Sequence, residues 1–179
     1  SIGTIFFSDG RKFSYHNDLE STRKAYNRHG WSTIGDIGRV DEDGFLYLSD
    51  RKSFVIISGG VNIYPQETEN ILLAHPNVED AAVIGVPNED FGEEVKAVVQ
   101  LVEGCEPTAT LATELIEFCR ENLSKIKCPR SVDFRLALPR EETGKLYKKK
   151  LRDEYWEKFR APEEYHKNKK KHKQKAPDL

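Results

Sequence analysis

Apolar runs and helical stretches alternate along this chain, and the alternation predicts an α+β fold. Residues 80–86 and 95–102 are apolar with little polar interruption, so at least one of them should be a strand buried on both faces. Residues 54–57 form a shorter β-branched and aromatic run that predicts another strand. Residues 110–123 repeat their apolar side chains with a period of about 3.6, which predicts an amphipathic helix.

Prolines and charged stretches place the other boundaries in this part of the chain. Pro65 suits the first turn of a helix, and Pro76 ends that helix near residue 74, because the residue before a proline avoids the α region. Residues 132–136 predict a short strand, and residues 146–159 predict a basic amphipathic helix. Short strands and helices in alternation imply a small α+β or α/β sandwich.

The segment before residue 50 predicts a β-rich unit with few residues to cover it. Strands are favoured at residues 4–7 and 45–48. A short helix is favoured at residues 18–27, with Asn17 or Asp18 as its N-cap.

Composition narrows the class of protein. A formal net charge of −2 argues against a nucleic-acid-binding protein as a whole, and no apolar run is long enough to span a membrane. The 3 cysteines lack C-x-x-C spacing and the 5 histidines lack metal-ligand spacing, so neither a disulfide scaffold nor a metal site is predicted. These features favour a cytoplasmic protein. The chain has no methionine, even at position 1, so we expect it to be part of a longer protein.

Residues 161–179 differ from the rest, because they are rich in lysine and almost free of apolar side chains. This composition predicts a disordered tail. Weak peripheral contact with acidic lipid, or contact with RNA, is the alternative to a solvated terminus, which we favour.

Three polar residues are candidates for binding or chemistry. Asp36 follows a glycine, and its carboxylate could accept hydrogen bonds from both hydroxyls of a ribose, although an Asx-turn is the simpler interpretation. Arg51 could donate to the same sugar or to a phosphate, or form a surface ion pair. Lys145 follows a Thr-Gly turn that separates its ammonium from the lysines after it, although it could equally be one of several lysines at a helix start. Considered singly, each residue favours the structural interpretation.

A serine and two glycines, Ser58, Gly59 and Gly60, separate the strand at 54–57 from the helix at Pro65. Glycine accepts positive φ and lets other groups approach the backbone closely. The segment is therefore either a ligand-binding loop or a tight corner, and its local chemistry favours the corner.

Taken together, these motifs resemble those of the adenylate-forming acyl-CoA synthetases. The resemblance extends from about residue 3 to residue 152. It rests on five motifs in the same order and at similar separations, at residues 30–38, 50–52, 56–69, 87–93 and 139–145.

The resemblance implies the domain organisation. Family members have a large N-terminal domain and a small mobile C-terminal domain joined by a hinge. Residues 1–50 resemble the end of the large domain, residues 51–160 the mobile domain with its hinge near 51–54, and residues 161–179 a basic tail. The mobile domain would contain a short β-hairpin and a three-stranded sheet with flanking helices. The large domain's phosphate loop and adenine motif have no counterpart here, so the chain resembles a C-terminal fragment that would not be competent alone.

The resemblance also implies a reaction in two steps. A carboxylic acid and ATP-Mg²⁺ give an acyl-adenylate and pyrophosphate, and coenzyme A then displaces AMP. By matching motifs, Asp36 and Arg51 would bind the nucleotide, Lys145 would be catalytic, and the residue 58–60 segment would line the pantetheine tunnel. No cofactor is expected to stay tightly bound to this chain.

Two features leave alternatives open. Ser53 occupies the hinge position, where the family usually has Asp or Lys, and Phe54 replaces an acidic residue, so the hinge contacts should differ. The motif around Tyr15 indicates a fatty, aromatic or polycyclic acid only weakly.

The alternatives to an acyl-CoA synthetase are a stand-alone nucleotide- or protein-binding module, a peptide-synthetase adenylation domain and a luciferase-like oxygenase. The oligomeric state is not predicted.

Overall fold

A computed structural model describes residues 1–160, which form two sheets of mainly antiparallel strands and four α-helices. The first sheet has the strand order β1 (Gly3–Thr4), β2 (Asp36–Val40) and β3 (Leu46–Arg51). Helix α1 (Leu19–Lys24) precedes β2 in the chain. Its N-cap is Asp18, whose side chain accepts from the backbone of the first turn, as expected for a carboxylate there.

The second sheet has five strands with β7 at its centre. It contains β4 (Ile56–Ser58), β5 (Val61–Ile63), β6 (Val78–Asn88), β7 (Gly92–Leu101) and β8 (Ser131–Phe134). Strand β6 pairs antiparallel with β7, and β8 pairs parallel with it. The β4–β5 hairpin joins the start of β7 where Ser58 pairs with Gly92. The α+β prediction is confirmed, but the hairpin and the three-stranded sheet are one continuous sheet.

Three helices cover the two faces of this sheet. Helices α2 (Pro65–Leu73) and α3 (Ala109–Asn122) pack on one face, and α4 (Lys148–Arg160) packs on the other. Strand β6 contributes alternate residues to both cores, so the prediction of a strand buried on both faces is confirmed. The larger core is formed by Ile56, Ile63, Leu72, Val78, Ala81, Val83, Val95, Ala97, Val99, Leu111, Leu115, Cys119 and Cys128.

Some boundaries differ from the sequence prediction because pairing, and not apolar content, sets strand ends. The run at residues 54–57 begins as a 3-10 helix, Lys52–Phe54, and becomes a strand only at Ile56. Strands β6 and β7 extend beyond the apolar runs at 80–86 and 95–102 and pair as far as Asn88 and Gly92, so that only residues 89–91 form the turn between them. The strand predicted at 4–7 ends at Thr4.

Three further predictions concern membrane-spanning segments, the cysteines and the tail. No helix within residues 1–160 is long and apolar enough to cross a membrane. All three cysteines are free, and burial raises the pKa of Cys119 to about 12, so this thiol stays protonated at neutral pH. The tail predicted at residues 161–179 lies outside the described residues.

The core predicts a clear difference between two leucines. Leu115 of α3 is fully buried, whereas Leu136 is completely exposed. Leu115→Ala should lower the free energy of unfolding by about 2–5 kcal/mol, because it removes buried contacts and leaves a cavity. The control Leu136→Ala should change it by less than about 0.5 kcal/mol. Urea unfolding of both variants checks this, and equal losses would contradict the assignment of the core.

Candidate nucleotide-binding and catalytic site

Asp36 and Arg51 face each other across the β2–β3 ladder. Arg51 Nε lies 3.5 Å from Asp36 Oδ1. The Asp36 side chain is 19% exposed and that of Arg51 is 49% exposed, so both retain atoms that a ligand can reach. The loop before Asp36 is fixed by Gly35, whose φ is +86° and whose carbonyl oxygen accepts from Lys52 N at 2.7 Å. The pair therefore presents a carboxylate and a guanidinium side by side.

Lys145 lies at the end of a hydrogen-bonded turn. Glu141 N donates to the carbonyl oxygen of Lys145, and Gly144 N donates to that of Glu141, each at 2.8 Å. Gly144 has a φ of +82°, which a residue with a side chain adopts only with strain. Arg140 donates to the carbonyl oxygen of Gly144 at 2.7 Å and forms an ion pair with Asp80 of β6. The turn is thus fixed to the sheet, and the Lys145 side chain is exposed beyond it.

The structure brings three of the predicted site residues to one cleft. Asp36, Arg51 and Lys145 line a cavity of about 330 Å³ between the first sheet and the second. An adjoining cavity of about 340 Å³ is lined by Arg51, Ser53 and Lys145. The remaining residues that line the first cavity are Leu48, Ser49, Asp50, Phe54, Gln66, Leu146 and Lys148. A ligand there would meet two carboxylates, those of Asp36 and Asp50, and the cations of Arg51, Lys145 and Lys148.

Ser53 lies in the 3-10 helix that connects β3 to β4. This short connection carries the chain from the first sheet to the second. The hinge at Ser53 stays a prediction.

A buried ion pair supports the start of α4, close to Lys145. Lys148 Nζ lies 2.7 Å from Glu69 Oε2, and both side chains are less than a tenth exposed. Glu69 Oε1 accepts from Val83 N at 2.7 Å. Burial is the main effect on Glu69 and raises its pKa, while the Lys148 ammonium opposes that rise. Lys148 Nζ also lies 5.3 Å from the ring centroid of Phe54.

Sequence reasoning missed this pair. It treated Lys148 as part of the basic amphipathic helix predicted at 146–159 and did not single out Glu69. The helical phase contained a signal, because Lys148 precedes Leu151 and Tyr155 by three and seven residues and so shares their apolar face.

The glycine-containing segment lies elsewhere. Gly59 and Gly60, with φ of +55° and +80°, form the turn of the β4–β5 hairpin, and Gly59 N donates to the carbonyl oxygen of Phe91 at 2.9 Å. Ser58 and Phe91 line a cavity of about 530 Å³ that does not include Lys145. Locally the segment is the tight corner that its chemistry favoured.

This second cavity has cationic side chains that sequence reasoning did not single out. Arg120, Lys125 and Arg130 line it, and the Arg130 guanidinium carbon lies 4.5 Å from the ring centroid of Phe91. The three residues come from α3 and from the segment before β8, so no local sequence pattern joins them. The cavity suits a ligand with several negative charges.

Cationic side chains thus line cavities at two separate places, one beside Lys145 and one beside Ser58. Residues 67–145 match the family described as AMP-binding enzyme C-terminal domain. This match confirms the predicted resemblance to the adenylate-forming enzymes.

Several relatives that this chain resembles are CoA ligases by name. It is 40% identical over 141 residues to a long-chain-fatty-acid–CoA ligase of Mycobacterium tuberculosis, a match that covers 79% of this chain and 27% of that protein. It is 48% identical over 138 residues to a 2-succinylbenzoate–CoA ligase of Geobacillus kaustophilus, covering 77% and 27%. The chain therefore spans about a quarter of the length of these relatives.

Solved structures at 34–41% identity support the fold. ATP-bound MatB from Rhodopseudomonas palustris matches with a TM-score of 0.69 and 37% identity, over 76% of this chain and 26% of that one.

The buried ion pair generates a stability prediction. Lys148→Met leaves the Glu69 carboxylate buried without its partner, so the free energy of unfolding should fall by about 3–5 kcal/mol at neutral pH. The double variant Glu69→Gln with Lys148→Met should lose less, because no unpaired charge remains and the amide oxygen can still accept from Val83 N.

The loss in Lys148→Met should also depend on pH. An unpaired buried carboxylate has a folded pKa above its unfolded value, so the native state binds the proton more tightly. Stability therefore falls as the pH rises from the unfolded pKa through the folded one, and the variant should be less impaired at pH 5 than at pH 8. Urea unfolding at both pH values tests this, and a pH-independent loss would contradict it.

Proposed function

We propose that this chain is the C-terminal part of an AMP-forming acid:CoA ligase. The observation that carries the proposal is the shared cleft of Asp36, Arg51 and Lys145. In the proposed organisation, residues 1–50 end a large N-terminal domain, residues 51–160 form a mobile domain, and residues 161–179 are a basic tail. A carboxylic acid, ATP and CoA are the proposed substrates, and the missing domain supplies the acid pocket.

In the first step the cleft would hold ATP and the acid. The Asp36 carboxylate can accept from the two ribose hydroxyls, and Arg51 fixes that carboxylate while it donates to the nucleotide. The carboxylate oxygen of the acid attacks the α-phosphorus, a P–O bond forms, and pyrophosphate leaves with the electron pair of the broken bond. Lys145 places its ammonium where negative charge grows, which lowers the barrier.

In the second step the domain would rotate about Ser53. The hairpin turn with Ser58, Gly59 and Gly60 would then replace Lys145 at the active site. The CoA thiol attacks the acyl carbon, loses its proton and displaces AMP. Arg120, Lys125 and Arg130 beside this turn suit the phosphates of CoA, since cations bind phosphate through charge-assisted hydrogen bonds. Two faces of one rigid domain would thus serve two reactions.

Magnesium is proposed to accompany ATP. Within residues 1–160 no cluster of three His, Cys, Asp or Glu side chains could hold a metal ion, so we assign no residue of this chain to it. A cytoplasmic location and weak membrane contact through the basic tail are further proposals. The stand-alone binding module is less favoured, because the matched relatives are named as enzymes and this chain matches only part of them.

Lys145→Ala in the full-length enzyme should reduce acyl-adenylate formation by about 100-fold or more, since one electrostatic donor to a developing charge contributes about that much. Thioester formation from supplied acyl-adenylate should remain within about twofold, because Lys145 faces away from the CoA thiol in the second step. Single-turnover assays of each half-reaction measure both. Lys150→Ala, which removes an exposed charge outside both cavities near Lys145, is the control. Equal loss of both half-reactions would contradict the role.

Arg130→Ala should raise the KM for CoA by about 10-fold or more while adenylation stays unchanged, because a hydrogen bond between charged groups contributes about 1.5–3 kcal/mol. Lys127→Ala is the matched control, since its ammonium pairs with Glu67 and does not line the cavity. Steady-state kinetics with varied CoA separate the two variants. An unchanged KM in Arg130→Ala would remove this cavity from the CoA site.

A further inference from the structure

Helix α2 begins without a capping side chain of its own. Its N-cap residue is Tyr64, which makes no side-chain hydrogen bond to the helix, and Pro65 follows in the first turn. The N–H of Gln66 is one of those that a helix leaves unpaired at its start. It donates to Asp50 Oδ2 at 3.0 Å, and Asp50 lies 16 residues upstream on β3. Asp50, which lies on the first sheet, therefore caps the N-terminus of α2, which packs against the second sheet.

We propose that Asp50 is a detachable helix cap that holds the two parts of the chain in the adenylating arrangement. In this role Asp50 is a positioning residue that acts through α2 and not on substrate. The inference rests on the proposed function, because the adenylating arrangement is the one in which Lys145 faces Asp36 and Arg51.

The position of the contact supports this role. Asp50 precedes Ser53 and Gln66 follows it, so the hydrogen bond joins the chain on either side of the proposed hinge. Asp50 and Gln66 line the same cleft as Lys145. A rotation about Ser53 that removes Lys145 from Asp36 must therefore separate Asp50 from Gln66.

The charge of Asp50 favours its contact with Gln66, and access to solvent makes that contact reversible. The carboxylate meets the positive end of the α2 dipole, and its other oxygen accepts from Arg51 N at 2.7 Å, which orients it. Asp50 is half-buried, so water can satisfy both groups after they separate. A cap of ordinary strength changes an equilibrium by about fivefold. That is enough to favour one arrangement without preventing the other.

The charge around Asp50 is mixed. Lys145 and Lys148 line the cleft with it, and Glu69 is close enough for Asp50 to raise the pKa of that carboxyl. Removing the Asp50 charge could therefore act through these neighbours and not through the cap. Asp50→Asn separates the two effects, because asparagine loses the charge but keeps an acceptor oxygen and caps helices about as well as aspartate.

The first measurement compares half-reactions in the full-length enzyme. Asp50→Ala should lower single-turnover acyl-adenylate formation by about fivefold and leave thioester formation from supplied acyl-adenylate unchanged or faster. Asp50→Asn should remain within about twofold of wild type in both. Asp43→Ala, which removes an exposed carboxylate from the β2–β3 turn, should change neither. Equal effects on both half-reactions, no effect of Asp50→Ala, or a loss in Asp50→Asn as large as in Asp50→Ala would overturn the inference.

The second measurement is independent of activity. Residue-resolved hydrogen–deuterium exchange of the ligand-free full-length enzyme should show the Gln66 amide about fivefold less protected in Asp50→Ala and unchanged in Asp50→Asn. Equal protection in wild type and Asp50→Ala would refute the cap whatever the kinetics show. If the wild-type enzyme forms no acyl-adenylate, the proposed function fails and the positioning role fails with it, whereas altered exchange at Gln66 would still establish the cap.

Discussion

The geometry of the candidate site depends on one buried ion pair. Glu69 on α2 and Lys148 at the first position of α4 meet at 2.7 Å inside the fold, and Glu69 also accepts from β6. A charge buried without a partner is strongly unfavourable, so these elements have little freedom to separate. Lys145 is only three residues before Lys148, and the pair therefore determines where the exposed ammonium of Lys145 can reach. The buried Lys148 ammonium thus helps to fix the position of the exposed Lys145 ammonium, which a ligand can reach.

A second buried carboxylate connects the two faces of the domain. Glu93 on β7 accepts from Ile57 N of the hairpin at 2.9 Å and from Arg152 of α4 at 2.7 Å. The hairpin turn and the helix that follows Lys145 are thereby held to the same strand. If the domain rotates as proposed, it should move as one body, with Lys145 and the glycine turn exchanging places without a change in their separation.

The sequence predicted the parts whose signals are local. Apolar runs located β6 and β7, and proline located α2, because burial on two faces and the loss of a backbone donor are properties of the residues themselves. The Glu69–Lys148 pair and the Asp50–Gln66 contact join residues far apart in the chain. The helical phase places Lys148 on the apolar face of α4, but nothing near any of these residues identifies its partner. The grouping of Asp36, Arg51 and Lys145 in one cleft was reached only through the family resemblance, since each residue alone favoured a structural role.

The most direct test of the account is a crystal structure of the full-length enzyme with a non-hydrolysable acyl-adenylate analogue. We expect Asp36 to accept hydrogen bonds from both ribose hydroxyls, and Lys145 Nζ to lie within about 3 Å of an oxygen of the phosphate mimic or of the acyl group. A complex in which another cation occupies that place, with Lys145 in solvent and Asp36 away from the ribose, would contradict it.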